Sequence, residues 1–258
     1  MRSLGTRETL ILQDKSQLEV IVEKVVDIGT GELVTYSVPE YSTEEKKYYL
    51  QDYFYPSQED YSGIIKHTGM PVAYMDKTVK DFDWSLYPEN TKVQQQQVTA
   101  FLFGFDVYMN VAKGLYIHSK TRGSGKTMLA CLIGNELIQK GMQVKFIPIT
   151  EYVQRRFNKE DVSQYKSCTV LIIDDLGAQS DTVDNIREMV YDLINSRYNS
   201  RKLTIFTSNV TMDNASKDDR IVSRLFEMAA PVKIPEISIR NQKAFEQNKA
   251  LLKAALRA

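Results

Sequence analysis

The stretch Thr121-Arg122-Gly123-Ser124-Gly125-Lys126-Thr127 decides how this sequence of 258 residues is interpreted. It follows the short apolar run Leu115-Tyr116-Ile117 and leads into Met128 to Ile133, which reads as the start of a helix. A strand, a glycine-rich turn and a helix in this order form a phosphate-binding loop. The glycines let backbone N–H groups approach an anion, and the helix N-terminus adds the positive end of its dipole. The sequence therefore predicts a site for the phosphates of a nucleotide.

Each residue type in this loop suits one contact. Lys126 is expected to reach the outer phosphates, and the hydroxyl of Thr127 to coordinate a magnesium ion. In the full phosphate-loop pattern, G-x-x-x-x-G-K-[ST], the first position is glycine, and this chain has Lys120 there. That glycine eases the turn out of the strand, so its replacement is expected to affect the turn more than the phosphate contacts. The expected nucleotide-binding residues are Arg122, Gly123, Ser124, Gly125, Lys126, Thr127 and Met128.

A second motif supplies the acidic groups that such a site requires. Residues 169–175 form an apolar run, TVLII, that ends in Asp174 and Asp175. The run suits a strand that is buried on both faces of a parallel sheet, and ligands bind at the C-terminal edge of such sheets. We expect Asp174 to hold the magnesium ion, because Mg²⁺ is usually bound by one or two carboxylates together with phosphate oxygens. Asp175 is expected to orient or deprotonate an attacking water.

The alternation of strands and helices predicts an α/β, doubly wound nucleotide-binding domain over residues 66–258. Five parallel strands are expected, and if their order is 5-1-4-3-2 the fourth strand lies beside the strand that carries the aspartates. They cover residues 115–118, 144–148, 169–175, 203–207 and 232–234. Helices are expected over 91–112, from the phosphate loop to Lys140, over 151–157 with Thr150 as the N-cap, and over 182–199.

Three polar residues further along the chain are candidates for this site. Asn209 ends the fourth strand, beside the aspartates in the expected order, where its amide can position water. Arg224 lies four residues after Arg220, hence on the same helix face. One of these arginines could act as an arginine finger, which reaches the nucleotide bound by a neighbouring subunit. Alternatively, both form surface ion pairs with Asp218 or Asp219. Arg240 opens a C-terminal helix and is expected to reach the nucleotide from its own chain.

Composition excludes several classes of protein. The chain has 33 basic and 33 acidic residues, so its net charge does not indicate a nucleic-acid or membrane partner. Cys131 and Cys168 lack metal-ligand spacing and are expected to be reduced core residues. The N-terminus has no apolar signal segment, and no run approaches the roughly 20 apolar residues that span a bilayer. We therefore expect a cytoplasmic protein without membrane contact.

Residues 1–65 differ in composition and are expected to form a small separate region. Strands are predicted over 18–22 and 33–38, and a short helix from Ser42. Six aromatic residues between 48 and 61 form either a partner-docking surface or a local core.

The motifs together resemble AAA+ ATPases of the DnaC/DnaI helicase-loader group, an IstB-like ATP-binding family. The resemblance covers about residues 68–245. It rests on GSGKT (123–127), LIIDDLG (171–177), TSN (207–209), DRIVSRL (219–225) and SIR (238–240). It implies ATP and Mg²⁺ as cofactors, a P-loop AAA+ core, and Lys126, Thr127, Asp174 and Asp175 at the catalytic centre. It also implies Asn209 and Arg240 as sensors, and self-association in which Arg224 acts in trans.

Two departures from the family qualify what it implies. The family usually has glutamate at the position of Asp175, so the shorter carboxylate implies slow, switch-like hydrolysis. The chain stops soon after Arg240, which implies that the helical lid domain of many AAA+ proteins is absent, as in this subgroup.

The function implied is an ATP-dependent loader that delivers a replicative helicase hexamer to single-stranded DNA, with residues 1–65 as the partner-binding region. Arg155, Arg156 and Phe157 combine cations with a stacking ring for single-stranded DNA, or are an ordinary basic helix end. Three other functions remain open: a transposition helper ATPase of the IstB kind, an adaptor that binds ATP without hydrolysis, and a small-molecule P-loop kinase.

Overall fold

Two β-sheets organise the part of the chain that the computed structural model describes, namely residues 3–11, 17–27, 31–39, 53–56, 67–177 and 184–255. The first sheet is antiparallel, with four strands, β1 (Arg7–Ile11), β2 (Gln17–Asp27), β3 (Gly31–Ser37) and β4 (Tyr53–Pro56). The second is parallel, with five strands, β5 (Gly114–His118), β6 (Val144–Pro148), β7 (Val170–Leu176), β8 (Leu203–Ser208) and β9 (Ala229–Lys233). None of the helices within these ranges is long and apolar enough to cross a membrane.

The parallel sheet has the order β6-β7-β8-β5-β9, which is the expected order 5-1-4-3-2 read from the other edge. Residues along β5, β7 and β8 are buried almost without interruption, as helices cover both faces. Successive side chains of a strand point to opposite faces, so Ile172 packs into one core and Ile173 into the other. The apolar runs noticed in the sequence are therefore central strands of a three-layer α/β domain.

Eight α-helices lie in the described ranges. They are α1 (Lys92–Phe103), α2 (Phe105–Asn110), α3 (Lys126–Gln139), α4 (Ile149–Phe157), α5 (Ser163–Ser167), α6 (Asp184–Asn199), α7 (Asp219–Met228) and α8 (Ile239–Ala255). Helices α1 and α3 pack on one face of the sheet, and α4, α6 and α7 on the other. The loop that enters α3 follows β5, which places the phosphate-binding motif at the C-terminal edge of the sheet.

Two expectations about helices were wrong. The predicted helix over 91–112 is two helices, because Gly104 interrupts it after Phe103 and glycine is a poor helix former. Thr150 is not an N-cap, because α4 begins at Ile149 directly after Pro148. Pro148 itself occupies the N-cap position with φ −63°, and its side chain makes no capping hydrogen bond.

The N-terminal sheet has a small core of its own, formed by Val20, Val22, Val34, Tyr36 and Val38. The strands expected over 18–22 and 33–38 are present, but both are parts of a longer antiparallel sheet that adds β1 and β4. The helix expected from Ser42 and most of the aromatic segment lie outside the described residues. A boundary near residue 65 remains a prediction.

A buried arginine holds the end of the parallel sheet that is opposite the phosphate loop. Arg197 of α6 has no exposed surface. Its guanidinium donates to the carbonyls of Tyr165, Cys168 and Leu203 and to the hydroxyl of Thr204, at 2.6–3.1 Å. These acceptors lie at the N-terminal ends of β7 and β8 or just before them, so one side chain fixes two strands whose other ends carry the candidate site.

Arg197→Met should lower the free energy of unfolding by about 3–5 kcal/mol, because the buried acceptors lose their charged donor. Urea denaturation measures the change. Arg201→Met is the control, since the side chain of Arg201 is exposed and donates to the carbonyl of Asn110 alone among the described residues. Equal effects of the two substitutions would show that the buried network does not hold the sheet.

Candidate nucleotide-binding site

A cavity of about 450 Å³ opens at the C-terminal edge of the parallel sheet. All seven expected nucleotide-binding residues, 122–128, line it, and so do Asp175, Asn209 and Arg240. Four strand and helix ends bring them together: β5 leads into the loop, β7 and β8 end beside it, and α8 begins above it. Its further lining residues, which the sequence did not indicate, include Tyr74, Lys77 and Lys243.

The two glycines of the loop have the left-handed backbone that L side chains rarely adopt, with φ of 75° at Gly123 and 96° at Gly125. A Cβ atom on Gly123 would lie 2.9 Å from the Cβ of Arg240. Lys120 is exposed and is not among the described residues with positive φ, so its position does not demand glycine. The departure from the full motif therefore leaves the shape of the loop intact.

Lys126 lies almost buried at the base of this loop, with 5% of its surface exposed. Its Nζ donates to the carbonyl of Thr121 at 3.0 Å and to the Oγ of Ser124 at 3.3 Å. Burial lowers the pKa of Lys126, and the nearby charges of Asp175 and Asp174 oppose that shift. The ammonium is thus held within the loop by a carbonyl and a hydroxyl, and Lys126 lines the cavity.

The two halves of the predicted magnesium site meet directly. The hydroxyl of Thr127 donates to Oδ1 of Asp174 at 2.8 Å. Burial raises the pKa of Asp174, while hydrogen bonds from Thr207 and Thr127 lower it. The described residues contain no group of three or more His, Cys, Asp or Glu side chains able to hold a metal. A hydroxyl and one carboxylate are hard oxygen donors that fit Mg²⁺, which takes its other ligands from phosphates and water.

Asp175 and Asn209 form a pair beside this site. The side-chain amide of Asn209 donates to Oδ1 of Asp175 at 2.8 Å. Asp175 has φ of 57°, so the chain turns sharply here and the two aspartates do not simply alternate across the strand. Asn209 is thereby placed to orient the carboxylate, or a water molecule bound to it.

Arg240 and Arg224 have different surroundings. Arg240 lies in the first turn of α8, where its backbone N–H donates to the carbonyl of Gly123 at 3.1 Å and its side chain lines the cavity. Arg224 does not line the cavity of its own chain. Its guanidinium donates to Asn195 at 2.9 Å and to the hydroxyl of Tyr191 at 3.0 Å, and lies over the ring of Tyr191. Among the described residues it pairs with no carboxylate.

The ion pairs considered for these arginines involve Arg220 alone. Arg220 lies 2.7 Å from Asp218 and 2.9 Å from Glu188. Arg224 lies one helical turn later, and its guanidinium is held only by neutral groups of the described residues. The positive charge of Arg224 is therefore available to an anion.

The residues predicted to contact DNA lie apart from the cavity. Arg155 pairs with Glu151 and Glu160, and Arg156 pairs with Asp192 at 2.6 Å. The ring of Phe157 is 51% exposed. A DNA contact here would compete with these ion pairs, and it remains a prediction.

Tyr87 is a structural support of the loop that sequence patterns did not reveal. Its hydroxyl donates to the carbonyl of Ser124 at 2.6 Å, and burial raises the pKa of Tyr87 to about 12. The hydroxyl would lie 2.9 Å from a Cβ on Gly125. The ring packs against Phe82 and Trp84, so the aromatic segment before α1 braces the phosphate loop from below.

The sheet order, the glycine loop and the paired acidic strand end define a P-loop nucleotide-binding domain of the AAA+ type. The chain belongs to the family of IstB-like ATP binding proteins, whose family model matches residues 62–246. These findings confirm the family and the fold class inferred from the motifs.

The curated relatives that match include two replication proteins. The replicative helicase loader DnaI of Bacillus subtilis (strain 168) is 28% identical over an alignment of 160 residues, which covers 54% of this chain and 51% of that protein. The chromosomal replication initiator protein DnaA of Aliarcobacter butzleri (strain RM4018) is 31% identical over an alignment of 130 residues, which covers 47% of this chain and 29% of that protein. The chain thus spans about half the length of DnaI and less of DnaA.

Solved structures share the fold. The structure of the DnaC helicase loader matches with a TM-score of 0.53 at 24% identity, over 64% of this chain and 100% of that chain. The structure of AMPPCP-bound DnaA from Aquifex aeolicus matches with a TM-score of 0.52 at 22% identity, over 64% of this chain and 51% of that chain.

Tyr87→Phe should lower the free energy of unfolding by about 1–2 kcal/mol, because the buried carbonyl of Ser124 loses its donor. The affinity for ATP should fall as well, since the loop loses its brace. Urea denaturation and calorimetric titration with ATP measure the two effects. Tyr108→Phe is the control, because the hydroxyl of Tyr108 makes no hydrogen bond to any described residue. If both substitutions act alike, the loop does not depend on Tyr87.

Proposed function

We propose that the chain is an ATP-dependent helicase loader that delivers a replicative DNA helicase to single-stranded DNA during replication initiation in the cytoplasm. ATP binding is supported above all by the contact between Thr127 and Asp174, which joins the phosphate loop and the acidic strand beside one cavity. The similarity to DnaI over 160 residues supports the loading part.

The residues at the cavity divide the work of binding and hydrolysing ATP. Lys126 and the loop amides neutralise the phosphates. Thr127 and Asp174 are the protein ligands for Mg²⁺, which when bound spreads the negative charge of the phosphate oxygens. Asp175, held by Asn209, accepts a proton from or orients the attacking water. Because aspartate reaches less far than glutamate, hydrolysis is slow and ATP acts as a switch.

Self-association completes the site. Arg224 lies outside its own cavity and pairs with no described carboxylate, which suits a guanidinium that reaches the ATP of a neighbouring subunit. Arg240 contributes the second arginine from its own chain. ATP between subunits would then stabilise an oligomer, and hydrolysis would release it.

Contacts with partners are assigned to the remaining surfaces. The N-terminal region, residues 1–65, binds the helicase hexamer. Arg155, Arg156 and Phe157 contact single-stranded DNA when their intrachain ion pairs open.

A second candidate is a helper ATPase for transposition, and it is favoured by the match of residues 62–246 to the IstB-like family model. Both functions use the same ATP site, so the partner separates them. A loader co-purifies with a replicative helicase in an ATP-dependent manner. A transposition helper instead binds long duplex DNA and retains no helicase.

Lys126→Ala should weaken ATP binding about 10- to 100-fold, because a charge-assisted contact to the phosphates is lost. Co-purification with the helicase should weaken in parallel. Titration with a fluorescent ATP analogue measures the first effect and pull-down the second. Lys120→Ala is the matched control, since Lys120 is an exposed lysine of the same loop that does not line the cavity. Wild-type ATP binding and helicase loading by Lys126→Ala would refute the proposed function.

Arg224→Ala should bind ATP normally but hydrolyse it about 10-fold or more slowly, because the Arg224 side chain acts on the ATP bound by another subunit. Mixing Arg224→Ala with Lys126→Ala should restore part of the hydrolysis rate. The first variant supplies intact phosphate loops, and the second supplies intact Arg224 side chains. Steady-state phosphate release measures both. Arg220→Ala is the control, because Arg220 is engaged by Asp218 and Glu188. Absence of recovery in the mixture would argue against a finger in trans.

A further inference from the structure

The register between β7 and β8 breaks where the two aspartates lie. Pairing is regular up to Ile173 opposite Phe206, and the next pair is Leu176 opposite Ser208. Asp174 and Asp175 of β7 therefore both stand opposite Thr207 of β8, which makes a β-bulge. Bulges beside active sites re-aim a side chain, and here the bulge lies between the two acidic groups.

The bulge requires an unfavourable backbone conformation. Asp175 has φ of 57°, in the left-handed region where a Cβ atom is disfavoured. Such a conformation persists only where the surrounding structure holds it. On its far side the hydroxyl of Ser208 donates to the carbonyl of Leu176 at 2.6 Å, which closes the bulge and restores the pairing.

The hydroxyl of Thr207 replaces the missing strand pairing on the near side. It accepts the backbone N–H of Asp175 at 2.9 Å and donates to Oδ1 of Asp174 at 2.6 Å. Thr207 has no exposed surface. The same Oδ1 also accepts the hydroxyl of Thr127, so one hydroxyl from the end of β8 and one from the first turn of α3 fix one carboxylate oxygen.

We propose that Thr207 is a positioning residue that sets, through one buried hydroxyl, both the orientation of the metal-ligating Asp174 and the backbone turn that presents Asp175. This role rests on the proposed ATP–magnesium site. It acts on the aspartates, because its hydroxyl is bonded to both of them and Thr207 does not itself line the cavity. Removing the hydroxyl therefore disturbs the use of Mg²⁺ and of water, and leaves the phosphate loop intact.

Three substitutions at Thr207 separate positioning from packing. Thr207→Val removes the hydroxyl at nearly constant volume, Thr207→Ser keeps it, and Thr207→Cys replaces it with a weak S–H donor. Thr204→Val is the matched control on the same strand. Thr204 is equally buried, but its hydroxyl bonds Arg197 and the carbonyl of Lys202 at the other end of the sheet.

The experiment measures the Mg²⁺ concentration that half-maximally strengthens binding of a non-hydrolysable ATP analogue. Thr207→Val should raise it about 10-fold or more, as loss of groups that orient metal ligands does. Affinity for the analogue in EDTA should stay close to that of the wild type. Thr207→Ser should behave like the wild type and Thr207→Cys should lie between, whereas Thr204→Val should leave the Mg²⁺ requirement unchanged.

A second readout needs neither metal nor nucleotide. The amide of Asp175 should exchange its hydrogen faster in Thr207→Val, because its acceptor is gone, and stay protected in Thr207→Ser. If Thr207→Val does not fold, the same comparison of Thr207→Cys with Thr207→Ser decides the matter.

The measurements distinguish failure of the positioning role of Thr207 from failure of the proposed ATP-dependent function. A wild-type chain that binds no ATP refutes that function, yet amide exchange still tests whether Thr207 holds Asp175. The positioning role is overturned if Thr207→Val matches Thr204→Val in both Mg²⁺ requirement and amide exchange. It is also overturned if Thr207→Ser is as impaired as Thr207→Val.

Discussion

The hydrogen bond from Thr127 to Asp174 joins two motifs that lie 47 residues apart in the sequence. In the sheet β8 separates β5 from β7, so this contact spans the end of an intervening strand. Thr207, at that end, bonds the same carboxylate oxygen. Two strand ends and the first turn of α3 are thus tied together by one carboxylate and two hydroxyls. The shape of the cavity and the placement of Asp175 depend on this arrangement.

The electrostatics of the cavity follow from burying opposite charges near each other. Burial lowers the pKa of Lys126 and raises that of Asp174, because a low dielectric disfavours both ions. Their mutual attraction and the hydroxyl hydrogen bonds oppose those shifts. Where water is scarce, such charges act strongly on an anion that enters the cavity. Such a site is better suited to binding and catalysis than to stability.

Much of this domain was predictable because its signals are local. The glycine loop specifies its own backbone, and the apolar run before Asp174 specifies a strand buried on both faces. The order of the strands followed from the motifs together with the family resemblance. Errors arose where a local signal was passed over, as at Gly104, which breaks the helix that was expected to be continuous over 91–112. Similarly, α4 begins directly after Pro148, so Thr150 lies within its first turn and not at the N-cap.

The sequence by itself determined the phosphate loop, the acidic strand end and the residue types that are proposed to bind a nucleotide and magnesium. Only the tertiary structure decided that Tyr87 braces the loop, that Arg197 ties two strands together, and that Thr207 holds both aspartates. These roles depend on distances of about 3 Å between groups that are far apart in the chain, or that are brought together by a bulge. Periodicity and motif spacing report which residues can share a face, but they carry no information about such contacts.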